Sequence, residues 1–176
     1  EGRLVVGAAV GATSHEWAFT DGFITRHART GDGGSSASVM DYTEDGRLAS
    51  VTTDGATTAY SYDASGQLTA AAGPKGTSTW AYDVGGRLTL EKVDGTTWKR
   101  TYNAAGRLLR ATSDRESVTY TYDRSGRRTG EEHSDGRRRE LEWGPLWTLA
   151  SVTDHHHDRV VRTTTTVDAL GWLTRV

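Results

Sequence analysis

The sequence predicts an all-β fold of tandem 20-residue β-hairpin repeats, laid side by side in a curved, spiralling antiparallel sheet. Three observations carry that prediction. The tripeptides Gly46-Arg47-Leu48, Gly66-Gln67-Leu68, Gly86-Arg87-Leu88 and Gly106-Arg107-Leu108 recur every 20 residues, with Gly126-Arg127-Arg128 as a degenerate fifth. A tyrosine stands four residues before each glycine, as Tyr42, Tyr62, Tyr82, Tyr102 and Tyr122. Composition agrees, since 27 Thr, seven Tyr and six Trp favour strands while 21 Gly disfavour helices.

In chain order, residues 1–39 hold three divergent strand stretches: Arg3 to Val10, Glu16 to Thr20 and Phe23 to Arg29. They are followed by Gly31-Asp32-Gly33-Gly34, which lacks the Lys-Ser/Thr and the helix of a phosphate loop and reads as a flexible linker. Residues 40–176 form the repeat region. Each repeat reads as strand, turn, strand, turn. Asp63, Asp83, Asn103 and Asp123 open the first turn, where a carboxylate or amide oxygen can accept from the backbone two residues on. Gly66, Gly86, Gly106 and Gly126 close it at the left-handed position of a G1 bulge. That bulge predicts Tyr62 opposite Leu68 and Tyr60 opposite Ala70.

Half a period later come Asp54-Gly55, Pro74-Lys75-Gly76, Asp94-Gly95 and Asp135-Gly136. Ser113-Asp114-Arg115-Glu116 lacks the glycine and predicts a different turn type. From Gly126 to Trp147 the step is 21 residues, and a two-residue turn at Asp135-Gly136 would keep Trp143 on the side of Tyr122. A weaker copy follows at residues 143–149, and a clearer one at residues 167–173.

Strand alternation then separates two faces. One carries Tyr60, Tyr62, Leu68, Trp80, Tyr82, Leu88, Leu90, Trp98, Tyr102, Leu108, Tyr120 and Tyr122. The other carries polar residues that include Gln67, Thr69, Arg87, Thr89, Glu91, Lys99 and Thr101. An open sheet cannot cover its own apolar face, and a patch well beyond ~400 Å² calls for another polypeptide on it. The expected occupants are further repeats, an enclosed domain or a second chain.

Chemistry is sparse. No cysteine is present, which excludes disulfides and thiolate chemistry, and the net charge of -2 points to no polyanion. Arg124, Arg127, Arg128, Arg137, Arg138 and Arg139 are interrupted by Glu131, Glu132, Glu140 and Glu142, so cross-strand ion pairing is expected and nucleic-acid binding is not. Within Asp154-His155-His156-His157-Asp158, His155, His157 and Asp158 are the candidate metal donors, against the plainer reading of a solvated turn. No catalytic residue, cofactor or membrane insertion is expected. The recurring aromatics suit packing, with stacking on a glycan as the alternative.

The strings Tyr62-Asp63-Ala64-Ser65-Gly66-Gln67-Leu68 and Tyr82-Asp83-Val84-Gly85-Gly86-Arg87-Leu88 resemble the YD repeat, also called the RHS repeat, from about Met40 to Val176. That family comprises bacterial polymorphic toxins, wall-associated proteins, insecticidal toxin-complex components and teneurins. The resemblance implies a piece of a hollow β-sheet shell, secreted or at the cell surface, which encloses or presents a toxin domain. The family's C-terminal core motif with its self-cleaving aspartates is missing here.

Overall fold

A computed structural model describes residues 4–167 and 173–175. Among these, the one regular element that is not a strand is a 3-10 turn at Pro145–Trp147. The chain divides into two compact units, residues 1–81 and 82–176.

The first unit contains β1 (Leu4–Val10), β2 (Thr13–Thr20), β3 (Phe23–Gly31), β4 (Gly34–Tyr42), β5 (Leu48–Thr53), β6 (Ala56–Tyr62), β7 (Leu68–Gly73) and β8 (Gly76–Tyr82). Each pairs antiparallel with the next in chain order. The second unit repeats the scheme with β9 (Leu88–Val93), β10 (Thr96–Tyr102), β11 (Leu108–Thr112), β12 (Ser117–Tyr122), β13 (Arg128–His133), β14 (Arg138–Trp143), β15 (Leu149–His156) and β16 (Arg159–Thr164). A short pair, β17 (Thr166–Val167) and β18 (Leu173–Arg175), stands apart.

Two kinds of turn alternate. Thr53 pairs with Ala56 and Val93 with Thr96, so Asp54-Gly55 and Asp94-Gly95 are two-residue turns with both residues at positive φ. Gly31 likewise pairs with Gly34, so this glycine run joins β3 to β4 in a hairpin and is not a linker. At Ser113–Glu116 neither central residue has positive φ, and the Ser113 amide donates to the Glu116 carbonyl at 2.8 Å.

The longer turns bring a correction. Tyr62 pairs with Leu68, but the register then shifts: Ser61 faces Ala70, and Tyr60 faces Ala71 rather than Ala70. Thr69 is therefore an extra, bulged residue beyond the turn. Ala49, Leu109 and Thr129 are its counterparts. The bulge moves later residues to the other face. Glu91 faces Trp98 on the tyrosine side, and Leu90 faces Lys99 on the opposite side, the reverse of the sequence assignment.

The turn near Asp135-Gly136 also differs from expectation. The His133 amide donates to the Arg137 carbonyl, and that of Gly136 to the His133 carbonyl, so three residues lie between His133 and Arg137. Trp143 still stands on the side of Tyr122, because the bulge at Thr129 supplies the odd step.

Little is fully buried. Ala18, Ala111 and Val118 are the buried hydrophobic residues among those described. Tyr62, Leu68, Trp80, Tyr82, Leu88, Trp98, Tyr102, Leu108 and Tyr122 are all half-buried.

Candidate functional site

The bulged turns of each unit share one recurrent structure. In the turn between β6 and β7, Asp63 Oδ1 accepts from the Ser65 and Gln67 amides at 2.9 Å each, and the Gly66 amide donates to the Asp63 carbonyl at 3.0 Å. Asp83 does the same for Gly85 and Arg87. Asn103 replaces the carboxylate with an amide oxygen and keeps both bonds at 3.0 Å. The closing glycines 66, 86, 106 and 126 lie at φ 83°, 77°, 78° and 88°. L-residues with side chains reach that region only at a cost.

Where strands splay toward these turns, the tyrosines take over from the backbone ladder. Pairing of β5 with β6 stops at Ser50 and Ala59, which leaves the Leu48 carbonyl beyond it. Tyr62 Oη donates to that carbonyl at 2.9 Å. The same reach of one repeat recurs from Tyr42 to Ile24, Tyr102 to Leu88 and Tyr122 to Leu108, at 2.7–2.9 Å. Trp143 Nε1 donates to the Arg128 carbonyl at 2.6 Å, and the Thr165 hydroxyl donates to that of Leu149. Orphan carbonyls are costly when shielded from water, so a phenol at this position locks each hairpin to the one before it.

An arginine series runs beside the tyrosines. Arg47 lies over the Tyr62 ring, Arg87 over Tyr102, Arg107 over Tyr122 and Arg127 over Trp147, with Cζ 5.2–5.9 Å from the centroids. Such contacts contribute roughly 0.5–1 kcal/mol each at exposed sites. Sequence reading missed this series, although the repeated Arg after the turn glycine was its signal.

On the tyrosine side of the second unit the surface is not uniformly apolar. Arg100 pairs with Glu91 at 2.5 Å, and Arg139 with Asp154 at 2.5 Å. Between them the Glu131 carboxylate, 14% exposed, has Arg128 at 3.3 Å, Arg139 at 3.7 Å and His133 Nε2 at 3.8 Å. Burial, then the Glu131 charge, pushes the Tyr120 phenol above its ordinary value.

Five of the six arginines of the run pair with acids, but mostly within one turn or strand and not across strands as expected: Arg127 with Asp123, Arg128 with Glu131, Arg137 with Asp135 and Arg138 with Glu140 are local, and Arg139 with Asp154 joins β14 to β15. The histidine run does not converge. His155 lies on β15 with Nε2 3.6 Å from Glu140, whereas His157 and Asp158 form the turn beyond the strand. Among the described residues no group of three His, Asp or Glu side chains is placed to hold a metal ion.

The turn carboxylates predict an acid response. The Arg87 amide, then the Arg87 guanidinium, holds the Asp83 carboxyl below its ordinary 3.8, and Arg137 does the same for Asp135. Their folded values are depressed, so their contribution is complete above the unfolded value and is lost as pH falls through the folded one. Urea midpoints should therefore drop below about pH 4. Asp83→Asn, which keeps the acceptor as Asn103 does, should flatten that acid limb. An unchanged limb would show that the turn does not sense protonation.

A family model described as the teneurin YD-shell matches residues 17–157. No curated protein matches the chain. Among solved structures, the crystal structure of TcdB2-TccC3 superposes with a TM-score of 0.59 at 18% identity, over 92% of this chain and 12% of that one. The TcdB2-TccC3-Cdc42 crystal structure gives 0.59 at 19%, with coverage of 92% and 12%. The Photorhabdus luminescens Tc holotoxin pore gives 0.58 at 19%, with coverage of 92% and 11%. At such identities the likeness is one of fold, and the chain spans about an eighth of the length of those chains.

Proposed function

The chain belongs to the teneurin YD-shell family, and from that premise we propose that it is a wall segment of a larger secreted or cell-surface shell of the toxin type. Its role is structural. The repeats at 40–176, led in by the divergent strands of 1–39, continue into further repeats, and the tyrosine face is turned toward an enclosed or presented partner domain. The observation that carries this reading is the recurrent phenol-to-carbonyl bond from one hairpin to the one before it. Such a bond makes each repeat complete only when its neighbour is present. The half-buried aromatics of the same face supply the contact area a partner would cover.

A second reading, glycan binding by those aromatics, is separated by one experiment. The 176-residue protein is expected to bind a dye that reports apolar surface, with less binding in Trp98→Ala, and to capture no glycan on an array. Glycan capture that is lost in folded Trp98→Ala or Trp80→Ala would replace the shell reading with an adhesive one.

A further inference from the structure

The first strand carries an inference that goes beyond the shell reading. Among the described residues β1 is paired on one side only, by β2. All seven of its residues are exposed, Leu4 at 60% and Val10 at 77%. From Leu4 to Val10 there is no charged side chain and no proline, and the ladder with β2 runs without a register shift. Charge, proline and bulges are the usual devices that blunt a strand edge, and β1 has none of them. The edge of β16 differs, since Arg159 and Arg162 stand exposed along it.

Backbone direction selects the partner. Val10 pairs with Thr13 across the two-residue turn Gly11-Ala12, with Gly11 at φ +61°. The residues that flank such a turn exchange both backbone bonds, and the direction alternates from there. Val10, Ala8, Val6 and Leu4 therefore direct their N–H and C=O groups to β2, whereas Ala9, Gly7 and Val5 aim theirs outward. Gly7 is both the middle residue of the strand and one of the outward set. A two-fold axis through it returns that set onto itself.

We propose that β1 is a self-pairing edge, at which two copies of this chain join antiparallel about a two-fold axis through Gly7. Gly7 then faces Gly7 of the second copy and Val5 faces Ala9, so that each of these pairs exchanges both backbone bonds. A slip of one residue would set outward groups against inward ones. On the face of Trp17, Val6 meets Ala8 and Leu4 meets Val10, so apolar pairs continue across the junction. On the other face Glu16 stands beside Gly7, where Arg26 partners it at 3.5 Å. The strand itself brings no like charges together. Such an isologous contact closes after two copies.

Sedimentation equilibrium of the 176-residue protein should show monomer and dimer with no larger species. Gly7→Pro removes both central bonds while the ladder with β2, which does not use the Gly7 N–H, stays intact. It should weaken the dimer at least about tenfold. Gly7→Lys and Gly7→Glu each fit their own hairpin, since a Cβ at Gly7 stands 3.5 Å from the His15 carbonyl, an ordinary contact. Across the axis each sets like charges opposite one another, and each alone should dimerise about fivefold more weakly, whereas a mixture of the two should regain the parent strength. Val160→Lys on β16 should leave the dimer unchanged. In the unsubstituted protein, amide exchange at Val5, Gly7 and Ala9 should slow as concentration rises, a readout that needs no variant to fold. A strictly monomeric protein, open-ended assembly, a dimer untouched by Gly7→Pro or lost with Val160→Lys would overturn the pairing. So would a Lys and Glu mixture no tighter than either variant alone, or exchange at those three amides that ignores concentration.

Discussion

Truncation of Tyr122 to alanine is expected to destabilise the second unit by about 2–4 kcal/mol, the largest single effect we anticipate on the sheet margin. Three contributions vanish together. The phenol donates to the Leu108 carbonyl at 2.8 Å, which lies beyond the last ladder pair of β11 with β12. The ring carries the Arg107 guanidinium at 5.9 Å. It also packs across from Arg128, at the point where β13 begins. Tyr122→Phe separates these contributions, because it keeps the ring and removes only the donor. That variant should lose about 1 kcal/mol, with an unsatisfied Leu108 carbonyl as the cause. Urea unfolding followed by circular dichroism measures both. If the phenylalanine variant matched the parent while the alanine variant fell, the hydroxyl would be solvated equally well in either state. The ladder of phenols would then be packing alone.

Much of this arrangement was legible from residue spacing, and the part that was not follows from parity. The period, the aspartate that opens each long turn and the glycine that closes it were all readable, because each turn position accepts few residue types. What escaped was the second bulge, at Thr69 and its counterparts. Residues opposite one another across a three-residue loop share odd or even numbering, whereas those across a two-residue loop differ. One loop of each kind per repeat would throw Tyr60 and Trp80 onto opposite faces. An even period therefore requires one further odd step in every repeat, and the bulge after the leucine supplies it. The requirement was contained in the repeat length, but no single residue type announces it: the bulged position holds Ala49, Thr69, Leu109 and Thr129 in turn.

The same parity error hid the polar character of the tyrosine side. Moving Glu91 to that side lets it meet Arg100, which stands in one row with Ala111, Val118 and His133. The two residues in the middle of this row, Ala111 and Val118, are buried. A face read as continuous aromatic and leucine packing is instead crossed by ion pairs in the second unit. For a shell wall this matters, since a partner held against such a surface must satisfy charges as well as cover rings.

Gly126→Val is expected to cost about 2–3 kcal/mol, and the reason is double. Gly126 sits at φ +88°, a region that a β-branched residue enters only with strain. A Cβ there would also collide with the Arg107 guanidinium, which would have to leave the Tyr122 ring. Gly136 isolates the first contribution: its φ is +85°, and nothing lies within 4 Å of where its Cβ would stand. Gly136→Ala should therefore cost only the backbone term, about 1 kcal/mol. Gly126→Ala should cost more by the value of the displaced cation, roughly 0.5–1 kcal/mol. Because an arginine head can swing aside, the excess is best read in an Arg107→Ala background, where it should disappear. Equal costs at residues 126 and 136 in the parent would mean that Arg107 does not rest on Tyr122 in solution. The arginine series would then contribute nothing to holding one hairpin on the next.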